Sequence, residues 1–302
     1  MSFPSVILSA KPRVIQLAML LIVATIFVAC SDDSGSSAKD DESLSSSSIV
    51  ELSSSSSATC EEIRTTKNDF VPLENVLPCV NENEKVAFVI RHGERNYNES
   101  GYDDTLNANG VIDTRALGSK LKDYPDFYYM HTNVFRTLET GYRIAEGKGQ
   151  SVEKFTRENC DSIVHEFNED LVSDWYYKDE SYLSKCASDA AAALTKMAYE
   201  PDDYYCSLAF YNAKERTQEL VERNFIYSKM HDITFAVTHD FFVAPLLISV
   251  TDGEIGLDYH NHSGDGYFWP NFLSGVAFIV DDMDRVTMVP VKGLASGRLA
   301  EY

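Results

Sequence analysis

The chain has 302 residues, 44% of them hydrophobic, with 47 acidic against 26 basic side chains and a formal net charge of −21. This hydrophobic fraction excludes a wholly disordered chain, and the length allows one large domain or two small ones. The acidic excess argues against non-specific binding to nucleic acid. It does not exclude a small phosphorylated ligand, but the pocket for such a ligand must be locally basic.

The N-terminus has the pattern of a secretory signal peptide. Lys11 and Arg13 precede an apolar run from Val14 to Val28, and the small residue Ala29 follows it. A run of about 15 residues is short for a membrane span, which needs ~20. We therefore expect residues 1–29 to be a signal peptide.

A cysteine stands directly after this segment. The sequence from Phe27 to Cys30 resembles the bacterial lipobox, in which the cysteine becomes the lipidated N-terminus, although Phe27 stands where leucine is usual. A plain cleaved signal and an uncleaved anchor are the alternatives, and in each case the chain is exported. The sequence thus predicts an exported bacterial lipoprotein, with Cys30 anchored in the membrane at the outer membrane, cell surface or periplasmic face.

Residues 30–58 are too polar to build a core. They include serine runs at Ser45–Ser48 and Ser53–Ser57, together with several acidic residues. This composition predicts a solvated, flexible tether with a typical reach of about 30 Å. We interpret residues 59–302 as the folded domain.

The predicted domain contains five cysteines: Cys60, Cys79, Cys160, Cys186 and Cys206. In an oxidising compartment we expect the short-range disulfides Cys60–Cys79 and Cys186–Cys206 with one thiol left over, while the sequence leaves other pairings open. There is no CxxC pair, which argues against a zinc site or a thioredoxin-like site.

Apolar runs and helical repeats alternate along this domain. Runs typical of buried strands lie at 85–90, 127–130, 233–237, 276–280 and 286–289, and apolar residues recur at helical spacing over 112–121, 138–145 and 243–250. The alternation predicts an α/β fold, a three-layer sandwich whose mainly parallel sheet is flanked by helices. The aromatic-rich segment at about 151–230 is interpreted as a mostly helical cap or insertion.

Basic residues and histidines follow three of the predicted strands. The first strand leads into Arg91, His92 and Arg95, the second into a segment that contains Arg136, and the third into His239-Asp240. Ligands of open α/β sheets bind beyond the carboxyl ends of the strands. We therefore expect these six residues to meet at one edge of the sheet.

This combination of side chains suits phosphoryl transfer. Arginines present planar, permanently charged donors that match phosphate oxygens. A neutral histidine can attack phosphorus, and a covalent intermediate splits the displacement into two easier steps. A neighbouring carboxyl group can protonate the leaving oxygen.

Several segments, in this order, resemble the histidine phosphatase superfamily, also called phosphoglycerate mutase-like, and in particular its acid phosphatase and phytase branch. They are Arg91-His92-Gly93 with Arg95 (R-H-G-x-R), Asp104–Gly110 (similar to L-T-x-x-G), Thr132–Thr137 (similar to T-D-x-x-R-T), His239-Asp240 (H-D) and Trp269–Ser274 before the last core strands. The resemblance implies an α/β phosphomonoesterase that uses no metal and no cofactor. The implied roles are nucleophile for His92, proton donor for Asp240, and phosphate ligands for Arg91, Arg95, Arg136 and His239.

Three alternatives stay open. Glu169 precedes Trp175 at the spacing of the mutase branch's donor pattern E-x-x-x-G-x-W, with Ser173 in place of glycine, so Glu169 is a second candidate donor. The site also fits a non-catalytic lipoprotein that binds a phosphorylated ligand, or a phosphotransferase or mutase of the same fold. In each case the partner is a small phosphorylated molecule.

His260 and His262 have metal-like spacing, but we interpret them as residues of a polar loop or of the substrate rim.

Overall fold

The computed structural model describes residues 58–96, 104–150, 166–167, 169–257 and 267–301. The predicted signal peptide, the lipidation site Cys30 and nearly all of the predicted tether lie outside the described residues, as do Cys160, His260 and His262. Within these ranges, no helix combines the length and the apolar character that a membrane span requires.

The strands are β1 (Val71–Pro72), β2 (Glu84–Arg91), β3 (Tyr128–His131), β4 (Glu166–Phe167), β5 (Ile233–Thr238), β6 (Tyr267–Pro270), β7 (Gly275–Asp281), β8 (Val286–Lys292) and β9 (Arg298–Glu301). The helices are α1 (Cys60–Thr65), α2 (Leu73–Val76), α3 (Ala108–Lys120), α4 (Phe135–Lys148), α5 (Leu183–Cys186), α6 (Ala190–Tyr199), α7 (Tyr204–Ala209), α8 (Ala213–Asn224) and α9 (Asp240–Val250). Every predicted strand and helix is present, with somewhat different ends.

Local chemistry explains where the predicted helices begin and end. The Asn107 side chain accepts a hydrogen bond from Gly110 N at 2.8 Å and so caps the first turn of α3. Helix α4 ends at Gly149, whose φ of 83° is a left-handed conformation that glycine adopts at little cost. These caps lie outside the apolar repeats, which is why periodicity alone gives different bounds.

Within the described ranges, seven strands form one sheet in the order β1-β8-β7-β2-β5-β3-β4. Strands β2, β5, β3 and β4 pair in parallel, β1 is parallel to β8, and β7 is antiparallel to both of its neighbours. All strands of this sheet except β7 therefore point the same way, as the prediction of a mainly parallel sheet requires. The register pairs Arg91 with Thr238, so β2 and β5 end side by side.

Side chains of β2 alternate between the two faces of the sheet. Phe88 and Ile90 pack in the core beneath helices α3 and α4, whereas Ala87 and Val89 belong to a second core that includes residues of α6, α8 and α9. Helices thus cover both faces, and the predicted three-layer architecture is confirmed. The described residues between β4 and β5 are mostly helical, as predicted for the cap or insertion.

Two disulfides hold peripheral helices in place. Cys60–Cys79 ties α1 to the turn after α2, and Cys186–Cys206 ties α5 to α7. Both predicted pairings are confirmed. Each closes a loop with a sequence separation of 19 or 20 residues, and such a cross-link stabilises a fold by about 3 kcal/mol, chiefly by restricting the unfolded chain.

Candidate active site

The six residues predicted to meet do lie together at the carboxyl edge of the sheet. Arg91 is the last residue of β2, and His92 follows it with its backbone N donating to Thr238 O at 2.9 Å. On the neighbouring strand, His239 follows β5 and Asp240 opens α9. Arg136 lies in the first turn of α4, directly after β3.

His92 is held in a single tautomer. Its Nδ1 lies 2.7 Å from the carbonyl oxygen of Gly93, and its Nε2 lies 3.1 Å from Arg136 Nε. A carbonyl can only accept and a guanidinium can only donate, so Nδ1 carries the proton and Nε2 presents its lone pair. The imidazole is therefore neutral, with its basic nitrogen facing Arg136.

The surroundings of His92 keep it neutral at acidic pH. Its side chain is buried, at 2% exposure. Burial, followed by the nearby charges of Arg91 and Arg136, holds the pKa of His92 well below its usual range. An unprotonated Nε2 is the form that can act as a nucleophile.

Arg136 connects both histidines to a carboxylate. Its Nε reaches His92, its Nη2 lies 3.1 Å from His239 Nδ1, and its Nη1 donates to Asp104 Oδ1 at 2.5 Å. Because the guanidinium can only donate, His239 Nδ1 accepts and its Nε2–H donates to Thr132 Oγ1 at 2.7 Å. One planar side chain thus fixes the orientation of two imidazoles.

His239 is also neutral. Burial and the charge of Arg136 outweigh the opposing effect of Asp240 and lower the pKa of His239 to about 3. The His92 and His239 rings stand edge to face, with centroids 5.5 Å apart. The positive charge of the cluster therefore comes from its arginines.

Arg91 is buried at 5% exposure, and its Nε lacks an acceptor among the described residues. Its Nη1 donates to Pro270 O at 2.6 Å, its Nη2 lies 3.1 Å from Asp240 Oδ2, and its guanidinium stacks 4.1 Å from the Phe272 ring centre. A buried donor without an acceptor, such as this Nε, costs free energy.

Asp240 accepts a hydrogen bond from one side chain and forms an ion pair with another. Trp269 Nε1 donates to its Oδ2 at 3.0 Å, and Arg91 pairs with the same oxygen. Burial alone would raise the pKa of Asp240, but Arg91 and the indole N–H more than offset this, so the pKa lies below its usual value. In the free protein Asp240 is thus ionised at neutral pH.

Asp104 is a member of the cluster that the sequence analysis did not assign. It is fully buried, and its two oxygens bind different arginines, Arg136 Nη1 at 2.5 Å and Arg95 Nη1 at 2.6 Å. Residue 104 lies within a segment recognised only for the start of α3. The sequence did contain one signal, the acidic residue itself. If a carboxylate is buried at this edge of the sheet, it requires cationic partners such as the nearby arginines.

The remaining candidates are not part of this described cluster. Of Glu169 the structure describes only the backbone, in a 3₁₀ turn from Glu169 to Leu171. Cys30 lies outside the described residues. Among the side chains that are described, no three His, Cys, Asp or Glu residues converge in a way that would hold a metal ion.

We expect the neutral histidines to make the fold sensitive to mild acid. A histidine with a folded pKa below its unfolded pKa of about 6.5 binds fewer protons when folded. Its contribution to stability is complete above pH 6.5 and is lost as the pH falls towards the folded pKa. For His239, whose folded pKa is about 3, this reduces the free energy of unfolding by about 1 kcal/mol between pH 6 and pH 5.

Urea unfolding at pH 6 and pH 5 measures this effect. His239→Asn should lose about 1 kcal/mol less than wild type over this interval, because its side chain cannot be protonated in the unfolded state. His231→Asn is the matched control, since His231 is exposed and stacks on Tyr128 outside the site. The same pH dependence in wild type and His239→Asn would show that His239 is not held neutral.

Comparisons with known proteins place solved structures beside this fold. The chain is similar to a phosphoglycerate mutase from Bacillus anthracis str. Sterne, with 16% identity over 70% of this chain and 93% of that one, at a TM-score of 0.45. It is also similar to a mycobacterial glucosyl-3-phosphoglycerate phosphatase (16% identity, 70% and 99% covered, TM-score 0.39). A third is a phosphoserine phosphatase mutant from Entamoeba histolytica in complex with phosphoserine (15% identity, 68% and 94% covered, TM-score 0.38).

A scan against protein-family models gave no match, and a search of curated proteins gave none. The activity has to be inferred from the residues of the site.

Proposed function

We propose that this protein is a phosphomonoesterase of the histidine phosphatase type that acts through a phosphohistidine on His92. The observation that carries the proposal is the unprotonated Nε2 of His92, buried among the guanidinium groups of Arg91 and Arg136. A lone pair beside permanent cations at the carboxyl edge of a parallel sheet suits attack on a phosphoryl group. Arg95, Arg136, Arg91 and His239 are proposed to bind the phosphate oxygens.

The first chemical step transfers the phosphoryl group to the enzyme. The substrate phosphate attracts Arg136 and satisfies the buried Nε of Arg91, which frees Nε2 of His92 for in-line attack. The Nε2–P bond forms as the ester P–O bond breaks, and Asp240 gives its proton to the leaving oxygen. The Nδ1–H bond to Gly93 O stabilises the positive charge that develops on the imidazole.

The second step regenerates the enzyme. Water attacks phosphorus, the Nε2–P bond breaks, and the carboxylate of Asp240 takes up a proton from that water. The three arginines stabilise the charge on the equatorial oxygens in both steps. Inorganic phosphate then leaves, and His92 returns to its neutral tautomer.

The donor role requires a protonated Asp240, although its pKa is low in the free protein. A bound phosphate dianion raises this pKa in two ways. It adds negative charge beside the carboxyl group, and it draws on the Arg91 guanidinium that otherwise stabilises the carboxylate. The protonated fraction therefore rises in the complex and rises further at acidic pH.

We also propose that the protein is exported and anchored through lipidated Cys30, with residues 30–58 as the tether. Two disulfides within the described domain support an oxidising compartment, because such bonds rarely persist in the cytosol.

Hydrolysis of para-nitrophenyl phosphate between pH 4 and pH 8, with and without EDTA, tests the proposed activity. We expect turnover at both EDTA conditions, because the proposed chemistry uses only side chains. Covalent phosphate that appears on the protein within the first turnover and then decays would support the intermediate. A folded protein that binds phosphate but hydrolyses neither this ester nor a panel of natural ones would favour the ligand-binding alternative.

A further inference from the structure

We propose that Asp104 is a positioning residue of the phosphate site that also sets the charge of the site. Its carboxylate would hold the guanidinium groups of Arg95 and Arg136 in place and would keep product phosphate from binding too tightly. The inference rests on the proposed function and deepens it.

The carboxylate of Asp104 is both buried and paired. Asp104 has no exposed surface, and each of its oxygens accepts a hydrogen bond from a different arginine. A carboxylate removed from water in this way needs such partners. Both partners are arginines that the sequence assigns to one phosphate, so a single anion organises two phosphate ligands.

The backbone around Arg95 is tied to the segment that follows Asp104. Residue 95 pairs with residue 106 in an antiparallel bridge, and Asn96 N donates to Thr105 O at 2.8 Å. Asn107 N donates to Glu94 O at 3.0 Å. These bonds hold the chain on both sides of Arg95 and the residues that follow Asp104, so the backbone beside the Asp104–Arg95 pair has a defined place.

Arg136 links Asp104 to the proposed nucleophile His92. Arg136 uses Nη1 on Asp104, Nε on His92 and Nη2 on His239. Because the guanidinium is planar and rigid, its orientation against Asp104 determines its orientation against both histidines. Among the described residues no hydrogen bond joins Asp104 to either histidine, so its hold on their orientation passes through Arg136.

The cluster contains more cations than anions. Three guanidinium cations, Arg91, Arg95 and Arg136, stand against the carboxylates of Asp104 and Asp240. With both histidines neutral, the cluster carries one net positive charge. Loss of the Asp104 charge would double it and would strengthen binding of any phosphate dianion, including the product.

Two substitutions separate these roles. Asp104→Asn removes the charge and one acceptor, so we expect kcat to fall about tenfold or more and the Kd of inorganic phosphate to fall about tenfold. Asp104→Glu keeps the charge but misplaces it by one methylene. Its phosphate Kd should stay within about threefold of wild type while kcat falls about tenfold.

The measurements are steady-state hydrolysis of para-nitrophenyl phosphate and titration calorimetry with inorganic phosphate, on the full-length chain. Glu84→Gln is the matched control, because Glu84 accepts from Arg64 with both oxygens at the opposite end of β2. It should change neither kcat nor phosphate affinity. If Asp104→Asn does not fold, Asp104→Glu decides, and a wild-type kcat in that variant would overturn the proposal.

The outcomes distinguish this inference from the proposed function. Unchanged kcat and phosphate affinity in Asp104→Asn, with an active wild type, would overturn only the role of Asp104. Weaker phosphate binding in Asp104→Asn would overturn the role of Asp104 in setting the charge of the site, and would leave only its role in positioning the arginines. A wild type that neither hydrolyses esters nor binds phosphate would overturn both proposals.

Discussion

Replacement of His92 by alanine should abolish phosphatase turnover, with a fall in kcat of about 10⁴-fold or more, while the protein remains folded. The variant lacks the nitrogen that would form the bond to phosphorus, and no other described side chain accepts a hydrogen bond from Arg136 Nε. Turnover of para-nitrophenyl phosphate, together with circular dichroism of the variant, measures both parts of this expectation.

Two further variants sharpen the result. His92→Asn keeps a polar side chain in the buried position and should be as inactive as His92→Ala, which separates lost chemistry from a packing defect. His231→Ala removes an exposed imidazole that stacks on Tyr128 outside the cluster, and it should retain wild-type turnover. Activity that survived in both folded His92 variants would rule out a phosphohistidine on this residue.

The second large effect is expected for Asp240→Asn. Esters with poor leaving groups, such as alkyl phosphates, should slow by about 10³-fold, because their alkoxide oxygen must be protonated as it departs. Aryl phosphates, whose phenolate leaves more readily, should slow by about tenfold or less. The asparagine retains the shape of the side chain and can still accept a hydrogen bond from the Trp269 indole.

A comparison of kcat for an alkyl and an aryl ester, in wild type and in Asp240→Asn, measures this difference. Asp281→Asn provides a control, since Asp281 pairs with Arg285 in the turn between β7 and β8. It should leave both rates unchanged. An equal loss on both esters would assign the donor role to another group, with Glu169 the next to test.

The central part of the fold could be predicted because its strands are short, apolar and separated by helical repeats. Strands β1 and β4 were missed because each has two residues, too few to show a period. The β6–β9 pair lies outside the main sheet, and its register depends on backbone bonds between two distant parts of the chain. Elements of this kind depend on tertiary context.

The convergence of the site residues was predictable for a related reason. Arg91, His239 and Asp240 follow buried parallel strands, and such strands end at a common edge. Asp104 and the Trp269 indole were not assigned as partners, because their contacts depend on the path of loops rather than on strand order. The catalytic roles of these residues stay predictions until the variants are measured.

The single reversed strand of the sheet has a consequence for how such a site can be built. Since β7 runs against its neighbours, it begins at the edge where they finish, and the segment leading into it delivers Trp269, Pro270 and Phe272 to the cluster. Entry into β7 is tight, because a β-carbon on Gly275 would lie 1.9 Å from Val89 O. The same stretch of chain therefore contacts the cluster and begins β7, so a change to one of these two parts would disturb the other.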